Sequence, residues 1–394
     1  VINSWEGTYM DFDNEKLMTI ASAVKGTGID TFVLDDGWFG ARNDDLAALG
    51  DWYVNEQKVN LGKVADYAHA NGLQFGLWFE PEMVNEQSEL YKAHPDWAMK
   101  VDGLTPCTGR DQLVLDLTKK EVRDYIVESV SKILKEYPID YVKWDMNRSL
   151  TENYSAWLGK NGKEMHHRYV LGLYDICERL VNGFPSIFFE GCASGGCRFD
   201  PAMLYYFPQI WTSDNSDAYL RTIIQYGTSL CYPLSAQSCH VSACPNHQCG
   251  RNTPFSSRGD IASLGATGYE LDTTKLSEED LTAIKSQVDK YRLNERLILD
   301  GDLYRLNNPL EENLFAVMVV SKDKRVAKLT AMRPISIPNG VEARIYAQGL
   351  DENANYHIKE LDLTLSGRNL INFGLLVKFT NNDFATIDYT FEKG

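Results

Sequence analysis

Segments typical of strands and of helices alternate along the first 300 residues of this 394-residue chain, and this alternation constrains the fold more than any other feature. Alternation at this spacing predicts parallel strands joined by crossover helices. Eight units of this size, with no glycine-rich phosphate motif after the first strand, favour a (β/α)8 TIM barrel over a doubly wound sheet. The predicted strands are 3–6, 32–35, 73–80, 139–145, 186–191, 209–214 and 269–272, and the predicted helices are 13–26, 61–71, 119–136, 164–182, 200–206, 217–231 and 277–298.

The pattern changes after about residue 302, where short strand-like runs follow one another without helices between them. Turns rich in Asn, Gly and Asp separate the runs, which is typical of a small antiparallel β-domain. A chain of this length also exceeds the size at which one hydrophobic core stops growing. We therefore predict an α/β protein with a barrel at 1–301 and an antiparallel β-sandwich at 302–394, with strands at 315–320, 344–347, 361–365 and 385–389.

Several predicted strands end directly in polar residues instead of a turn. The segment YVKWDMNR at 141–148 passes from apolar residues into Lys143, Asp145 and Asn147. Other predicted strands end in Asp, Glu, Trp or Cys, at 35–38, 78–80, 190–192 and 211–214. The carboxyl ends of barrel strands meet on one face, which carries the active site in this fold. The residues predict a polar pocket on that face.

Asp145 and Asp214 are two carboxylates at predicted strand ends, and such a pair is what a glycosidase needs. One carboxylate attacks or stabilises an oxocarbenium-like centre and the other protonates the leaving oxygen, but position alone leaves open which does which. Lys143 and Asn147 flank Asp145 at two-residue steps, so they lie on the same side of an extended chain. A cation there would keep Asp145 ionised, as a nucleophile requires. The alternative is a purely structural Lys–Asp pair.

Two further motifs have more than one interpretation. Asp35 and Asp36 have three interpretations: a helix N-cap pair, a metal site, or a binding site for sugar hydroxyl groups. We favour the sugar, with one side chain pointing inward and one near the rim, because adjacent strand residues point to opposite faces. The glycine-rich segment 192–200 lacks the Gly-Lys-Ser/Thr ending of a phosphate loop, so we expect it to bring backbone close to a ligand.

Cysteine and histidine concentrate in one segment, which we interpret as a loop after the helix at 217–231. Their spacing departs from the paired C-x2-C form of zinc sites, so we favour packed free thiols over metal. Eight cysteines in 394 residues are too few for a disulfide scaffold, which favours a reducing, cytoplasmic compartment. The residues in question, to which we assign no function, are Cys239, His240, Cys244, His247 and Cys249.

Composition narrows the class of ligand. The net charge of −16 argues against nucleic acid or an anionic membrane as a partner, since either needs a basic face. The 8 Trp and 21 Tyr residues, several of them next to acids, suit a neutral sugar. A sugar stacks its apolar face on an aromatic ring while carboxylates bind its hydroxyl groups. No apolar run approaches the roughly 20 residues of a membrane span.

Seven ordered motifs together resemble the α-galactosidases of glycoside hydrolase family 36, and the resemblance covers essentially the whole chain. The motifs are LDDGWFG at 34–40, LGDW at 49–52, WFEPEM at 78–83, YVKWDMNR at 141–148, CASGGCRFD at 192–200, WTSDNSD at 211–217, and HVSA with PNHQ at 240–248.

The resemblance implies hydrolysis of terminal α-galactosides, such as melibiose or raffinose, with retention of configuration and without metal or organic cofactor. It implies Asp145 as nucleophile and Asp214 as acid/base. The alternatives are an α-N-acetylgalactosaminidase, a galactosyl transferase or a glycan-binding protein without turnover. The resemblance also implies that Cys192 faces the 2-position of the sugar, where it leaves less room for an acetamido group than a smaller residue would. The galactose-binding residues that the resemblance implies are Asp35, Asp36, Trp78, Arg110, Lys143, Asn147, Cys192 and Gly195.

Members of that family usually carry a large β-sandwich before the barrel, whereas the predicted first strand here begins at the first residues of the chain. We therefore expect either a fragment or a natural short form. A homo-oligomer is in doubt without that domain, and so is the preference for the aglycone.

Overall fold

The computed structural model describes residues 1–101, 103–340 and 342–394. Its first ten strands are β1 (Ile2–Asn3), β2 (Thr31–Leu34), β3 (Gln74–Phe79), β4 (Met83–Val84), β5 (Leu113–Val114), β6 (Tyr141–Trp144), β7 (Phe188–Gly191), β8 (Gln209–Trp211), β9 (Gln237–Ser242) and β10 (Ala266–Glu270). Eight of these described strands form a closed barrel in the order β1-β10-β9-β8-β7-β6-β3-β2, while β4 pairs with β5. The predicted TIM barrel is confirmed.

Helices follow most barrel strands, and several begin at a side chain that accepts a backbone N–H. Asp13, Asn60 and Asp217 each accept the N–H three residues further on. No helix among the described residues is both long and apolar enough to cross a membrane. The helices are α1 (Trp5–Thr8), α2 (Asn14–Ala23), α3 (Leu61–Ala70), α4 (Glu89–Ala93), α5 (Lys120–Glu136), α6 (Met165–Gly183), α7 (Pro201–Tyr206), α8 (Ala218–Thr228), α9 (Phe255–Ala262) and α10 (Glu278–Asp300), with short 3-10 helices at Pro95–Trp97, Ala156–Glu164, Leu234–Ala236 and Thr273–Lys275.

By the density of their internal packing the described residues form two compact units. Asp145 belongs to the first unit and Asp214 to the second. The predicted division of the chain at residue 301 stays a prediction. The first unit contains Val1–Lys25, Ile29–Trp211 and Leu271–Lys275, and the second contains Gly26–Gly28, Thr212–Glu270 and Leu276–Gly394.

The segment that we interpreted as a cysteine-containing loop is a strand over its first part. Cys239 and His240 lie on β9, and all six residues of that strand are buried. The prediction was wrong there because most side chains of β9 are polar, so the strand lacks the apolar run expected of a buried parallel strand. The neighbouring strand β10 also begins three residues earlier and ends two residues earlier than the predicted 269–272.

The first strand is shorter than predicted. The Asn3 side chain accepts the N–H of Trp5 at 2.8 Å, and α1 begins at that residue. A side chain that bonds to backbone two residues further on favours a turn over an extended strand. The predicted strand at 3–6 is therefore wrong beyond Asn3.

The C-terminal region is an antiparallel β-domain, as predicted. It contains one short helix, α11, that the sequence analysis missed, and Ser366 accepts the Asn369 N–H at its start. Its six-stranded sheet has the order β11-β12-β13-β18-β15-β16, and β14 pairs with β17. The elements are β11 (Asp302–Arg305), β12 (Phe315–Val320), β13 (Val326–Arg333), β14 (Glu342–Ile345), β15 (Asn355–Ile358), a 3-10 helix (Lys359–Leu361), β16 (Leu363–Ser366), α11 (Gly367–Asn372), β17 (Leu375–Lys378) and β18 (Ala385–Lys393).

Strand β12 is apolar throughout because both of its faces are buried. Ala316, Met318 and Val320 pack into the core of the β-domain. Phe315, Val317 and Val319 point the other way and pack with residues of α9 and α10. Side chains alternate between the faces of a strand, so each face of β12 contributes to a different core. The sheet is thereby fixed to the helices of the second unit.

A buried ionic network lies within the same unit. Asp388 on β18 contacts Lys328 Nζ at 3.0 Å and also Lys290 on α10. Thr330 Oγ1 donates to Asp388 Oδ1 at 2.7 Å. Burial acts to raise the pKa of Asp388, but the two lysines favour its charged form and hold the pKa below its usual value. The charge on Asp388 is therefore compensated from two elements.

We predict that Lys328→Met lowers the free energy of unfolding by at most about 3–5 kcal/mol, because it removes one of the two cations that compensate the buried Asp388. Lys285→Met is the matched control: it breaks the exposed Lys285–Asp289 pair of α10, which contributes about 0–1 kcal/mol. Urea unfolding of both variants measures the difference. Equal losses would contradict a structural role for the network.

Candidate active site

Asp145 follows β6 and lies buried among four N–H groups that point at its carboxylate. Its Oδ1 accepts hydrogen bonds from the backbone N–H groups of Met146 at 2.7 Å and Ser194 at 3.4 Å. Its Oδ2 accepts from Trp78 Nε1 at 3.2 Å and Asn147 Nδ2 at 2.8 Å. An ionised carboxylate only accepts hydrogen bonds. The four donors therefore fit the charged form of Asp145 and fix the direction of its oxygens.

The pairing of β3 with β6 places this carboxylate. Trp78 lies opposite Lys143 and Phe79 lies opposite Trp144 in the parallel ladder. Beyond the strand, the Asp145 N–H still bonds to the Phe79 carbonyl oxygen at 2.7 Å. The barrel itself, rather than a loop, holds the Asp145 backbone.

The glycine-rich loop after β7 brings its own backbone to Asp145. Ser194 and Gly195 have φ angles of 46° and 80°, a region that glycine adopts readily and other residues rarely do. Ser194 Oγ also donates to Asn147 Oδ1 at 3.1 Å. The buried Cys192 Sγ accepts the Gly195 N–H at 3.4 Å. We expected this loop to carry backbone close to a ligand, and it carries backbone to the Asp145 carboxylate.

Asp35 lies directly after β2 and is neutralised by Lys143. The Lys143 Nζ and Asp35 Oδ2 atoms are 2.8 Å apart, and both side chains are buried. Asn3 Nδ2 donates to the same carboxylate oxygen at 2.7 Å. The lysine that the sequence places two residues before Asp145 thus binds the acid that follows β2, a strand separated from β6 by β3.

Asp36 is as deeply buried as Asp35, so the expectation that one of them lies near the rim is wrong. The alternation of faces does not apply here because β2 ends at Leu34. Arg42 donates to both oxygens of Asp36, with Nη2 at 2.8 Å from Oδ2. Burial raises the pKa of Asp36 against the opposing effect of Arg42.

Arg110 is the predicted binding residue that the structure leaves at the surface. It lies in an exposed loop with a φ of 53°, and its Nη2 is 3.5 Å from Asp45 Oδ1. Asp45 also contacts Arg42 at 3.2 Å. A row of alternating charges therefore runs from the exposed Arg110 through Asp45 and Arg42 to the buried Asp36.

Glu80 is a fully buried acid that the sequence analysis did not assign to the site. Its Oε1 accepts the backbone N–H of Asn147, and its Oε2 accepts Gln112 Nε2 at 3.2 Å. Burial, followed by the charge of Asp145, raises the pKa of Glu80 to about 8. Its burial and the nearby Asp145 thus favour the neutral form of Glu80.

Glu82 binds the last residue of β6 and so fixes the end of that strand. Its carboxylate accepts Trp144 Nε1 at 2.9 Å and Tyr169 Oη at 3.0 Å. Arg198 binds the same carboxylate with two nitrogens, at 2.8 and 3.0 Å. Every contact of this fully buried acid thus fixes a residue of another element. Because Trp144 precedes Asp145, the network restrains the strand end.

Three of the quoted motifs converge on an aromatic cluster. The Trp78 ring stacks on Phe39 with centroids 6.2 Å apart and lies 6.4 Å from Trp52. Trp38 Nε1 donates to the Trp78 carbonyl oxygen at 2.9 Å. Asp51 accepts the first two N–H groups of α4. Phe39, Trp52 and Trp38 thus hold Trp78 with its Nε1 directed at Asp145, while Asp51 joins its motif to α4.

Asp214, in the second unit, is held by its own set of neighbours. Gln248 Nε2 donates to the Asp214 carbonyl oxygen at 2.9 Å. Asn246 accepts the Gln248 N–H at 3.0 Å and donates to Ser216 Oγ at 3.3 Å. Asp217, three residues after Asp214, caps α8 and pairs with Arg251 at 3.1 Å. The segment 243–251 thus fixes the backbone of the loop that carries Asp214.

Among the described residues no group of His, Cys, Asp or Glu is arranged to hold a metal ion. Cys239 is buried on β9, whereas Cys244 and Cys249 are exposed. The Cys249 Sγ lies 3.5 Å from Asn246 Oδ1 and the Cys244 Sγ lies 3.6 Å from Asn252 Oδ1. All eight cysteines are free thiols.

The structure brings Trp78 and Asn147 to Asp145 and pairs Lys143 with Asp35, while Cys192 and Gly195 lie in the loop that carries Ser194. Glu80 and Glu82 follow the strand that contains Trp78, and the polar residues at the end of that predicted strand were a visible signal for Glu80. Gln112, Arg42 and Arg198 gave no such signal because they come from loops. A carboxylate fixed by four N–H donors suits nucleophilic attack on an electrophilic carbon.

Comparison with known proteins gives matches along the whole chain. Residues 1–301 match the family model described as melibiase. Residues 314–391 match the model described as the glycosyl hydrolase family 36 C-terminal domain. The α-galactosidase AgaA of Geobacillus stearothermophilus is 47% identical over 390 residues, covering 98% of this chain and 53% of the relative. Mel36A of Lactobacillus acidophilus, also an α-galactosidase, is 47% identical over 395 residues, covering 100% and 54%.

Solved structures agree with these matches. The crystal structure of AgaA has a TM-score of 0.97 at 46% identity and covers 100% of this chain and 55% of that one. An AgaA variant in complex with raffinose has a TM-score of 0.98 at 46% identity, with the same coverage. The chain spans about half the length of the curated relatives that it matches.

We predict that Arg198→Met destabilises the first unit by about 3–5 kcal/mol, because it leaves the buried Glu82 without its cation. The matched control is Arg168→Met, which breaks the exposed pair of Arg168 with Glu164. Thermal unfolding followed by Trp fluorescence measures both variants. A loss below 1 kcal/mol for Arg198→Met would show that Trp144 and Tyr169 alone stabilise Glu82.

Proposed function

The chain belongs to glycoside hydrolase family 36, and on this premise we propose that it is an α-galactosidase that hydrolyses terminal α-D-galactosyl residues with retention of configuration. The observation that carries the proposal is the Asp145 carboxylate, which is buried at the end of a barrel strand and held by four N–H donors. A group so fixed keeps its charge and its direction, as a nucleophile needs.

In the proposed mechanism Asp145 attacks the anomeric carbon while Asp214 protonates the glycosidic oxygen of the leaving group. The covalent galactosyl intermediate is then hydrolysed by a water molecule that Asp214 deprotonates. The Asp145 donors hold one carboxylate oxygen in line with the carbon, which lowers the entropic part of the barrier. Gln248 and Asn246 hold the backbone of the loop that carries Asp214.

The proposed galactose site uses the charged and aromatic groups around Asp145. Asp35 and Asp36, each neutralised by its own cation, accept hydrogen bonds from sugar hydroxyl groups. Lys143 and Asn147 donate hydrogen bonds to the sugar hydroxyl groups, and the Trp78 ring packs against the sugar. Cys192 and Gly195 line the loop after β7, and Arg110 lies at the outer edge, where it contacts the rest of the oligosaccharide.

We propose oligosaccharides such as melibiose and raffinose as substrates. The support comes from AgaA, variants of which have been solved in complex with raffinose and with stachyose. The free state of all eight cysteines supports a reducing compartment, and we propose the cytoplasm. The division into a barrel at 1–301 and a β-domain at 302–394 is likewise proposed, in accord with where the two family models match.

Replacement of Asp145 tests the nucleophile. We expect Asp145→Gly to lose turnover of every α-galactoside and to regain it with added azide, giving β-galactosyl azide, because the small anion occupies the space of the missing carboxylate. Asp145→Asn is the matched control, since its amide fills that space and should prevent rescue. Product analysis by NMR identifies the azide. Normal turnover of Asp145→Gly without azide would contradict the assignment.

Replacement of Asp214 tests the acid/base. An activated phenol leaves with little protonation, so Asp214→Ala should keep far more of the first-step rate on nitrophenyl α-galactoside than on raffinose. Rapid-quench kinetics on both substrates measure the ratio. Equal losses on both would point to another acid, and Asp217 is the next to test. A crystal structure of the active form should show the two carboxyl groups about 5–5.5 Å apart, the retaining distance.

A further inference from the structure

Glu80 takes no part in the double displacement, yet it shares a neighbour with the nucleophile. Asn147 gives its side-chain Nδ2 to Asp145 and its backbone N–H to Glu80. The two acids are thus joined through one residue, and Glu80 is completely buried at the end of β3. A buried carboxyl group beside a second one is costly in its charged form.

The groups that face Glu80 come from several elements. Asp145 after β6 and Asp36 after β2 oppose a charge on Glu80, and Gln112 supplies one neutral N–H donor. Arg42 interacts with Glu80 through space, but its direct bonds go to Asp36 and Asp45. The hydrogen bonds of Arg42 thus go to Asp36 and not to Glu80.

The hydrogen bonds decide which acid keeps the charge. Asp145 accepts four N–H donors, whereas Glu80 accepts those of Asn147 and Gln112. Donors stabilise the charged form of a carboxyl group, so the hydrogen bonds favour the charge on Asp145 and the proton on Glu80. The raised pKa of Glu80, about 8, agrees with this assignment.

We propose that Glu80 is a positioning residue that acts in its neutral form: its carbonyl oxygen holds the Asn147 backbone so that the Asn147 amide keeps the Asp145 carboxylate aligned. The proposal rests on the proposed function, because it assigns Asp145 as the nucleophile. Neutrality matters as much as contact. An ionised Glu80 would place a second negative charge beside Asp145 and draw the Asn147 N–H more strongly, which would shift the amide that Asp145 needs.

The kinetic test compares three variants with the wild type at pH 6. Glu80→Gln keeps the accepting oxygen and stays neutral, so its kcat on nitrophenyl α-galactoside should lie within about threefold of the wild type. Glu80→Ala removes the acceptor and Glu80→Asp retracts it. Each should lower kcat by about 10²-fold, the typical effect of a misplacement near 1 Å, with KM little changed. A Glu80→Gln variant as impaired as Glu80→Ala overturns the proposal, and so does an unimpaired Glu80→Ala.

A second measurement is independent of turnover. The folded protein holds a proton on Glu80 up to about pH 8, whereas an unfolded glutamate loses it near its usual pKa of about 4.3. The folded state binds more protons between these values, so this group makes stability fall as pH rises through that window. The Tm of the wild type should therefore fall relative to Glu80→Gln between pH 5 and pH 8.

A constant Tm difference across that range would overturn the neutral state of Glu80 even if the kinetics agreed. If the protein has no α-galactosidase activity at all, the proposed function fails, while the Tm comparison still decides whether Glu80 is neutral. If Glu80→Ala does not fold, Glu80→Gln and the pH dependence of its Tm decide the question.

Discussion

The parallel pairing of β3 with β6 is the constraint on which the site depends. The register that sets Trp78 opposite Lys143 brings the Trp78 indole N–H to Asp145. It also places Glu80 beside the Asn147 backbone and Glu82 beside Trp144. A slip of one residue would move every side chain of a strand to the other face. Trp78 would then leave Asp145, and Lys143 would leave Asp35. The pairing of the barrel strands thus sets the positions of Trp78 and Lys143.

The site also shows how buried charge is tolerated. Lys143 with Asp35, Arg42 with Asp36 and Arg198 with Glu82 are pairs in which each acid has a bonded cation. Burying such pairs is costly, and their net contribution to stability is small. Their value lies in preorganisation, because fixed charges need no rearrangement during a reaction. Glu80 follows a different solution, since it stays neutral instead of gaining a bonded cation.

The sequence predicted the class of fold because alternating strand and helix patterns admit few architectures. It failed at β9, where buried Gln, Ser, Cys and His side chains replace the expected apolar run. It placed Asp145 and its neighbours at a strand end, yet it could not show that Lys143 bonds to Asp35. Such a contact joins residues 108 positions apart and depends on strand order, which a linear pattern does not contain. The contact of Arg198 with Glu82 was not predicted for the same reason, whereas Arg42 was missed because it comes from a loop.

The row of charges from Arg110 to Asp36 crosses from solvent to the interior, and dissolved salt acts on its two ends differently. Mobile ions surround the outer contact of Arg110 with Asp45, where both side chains are about 40–45% exposed, and they screen exposed charges over about 8–10 Å. They cannot enter the contact of Arg42 with Asp36, which is shielded from solvent. Higher ionic strength therefore weakens the outer contact of Arg110 with Asp45, while the inner contact of Arg42 with Asp36 keeps its geometry. The surface conformation of Arg110 thus depends on the salt concentration of the medium, and the buried pair does not.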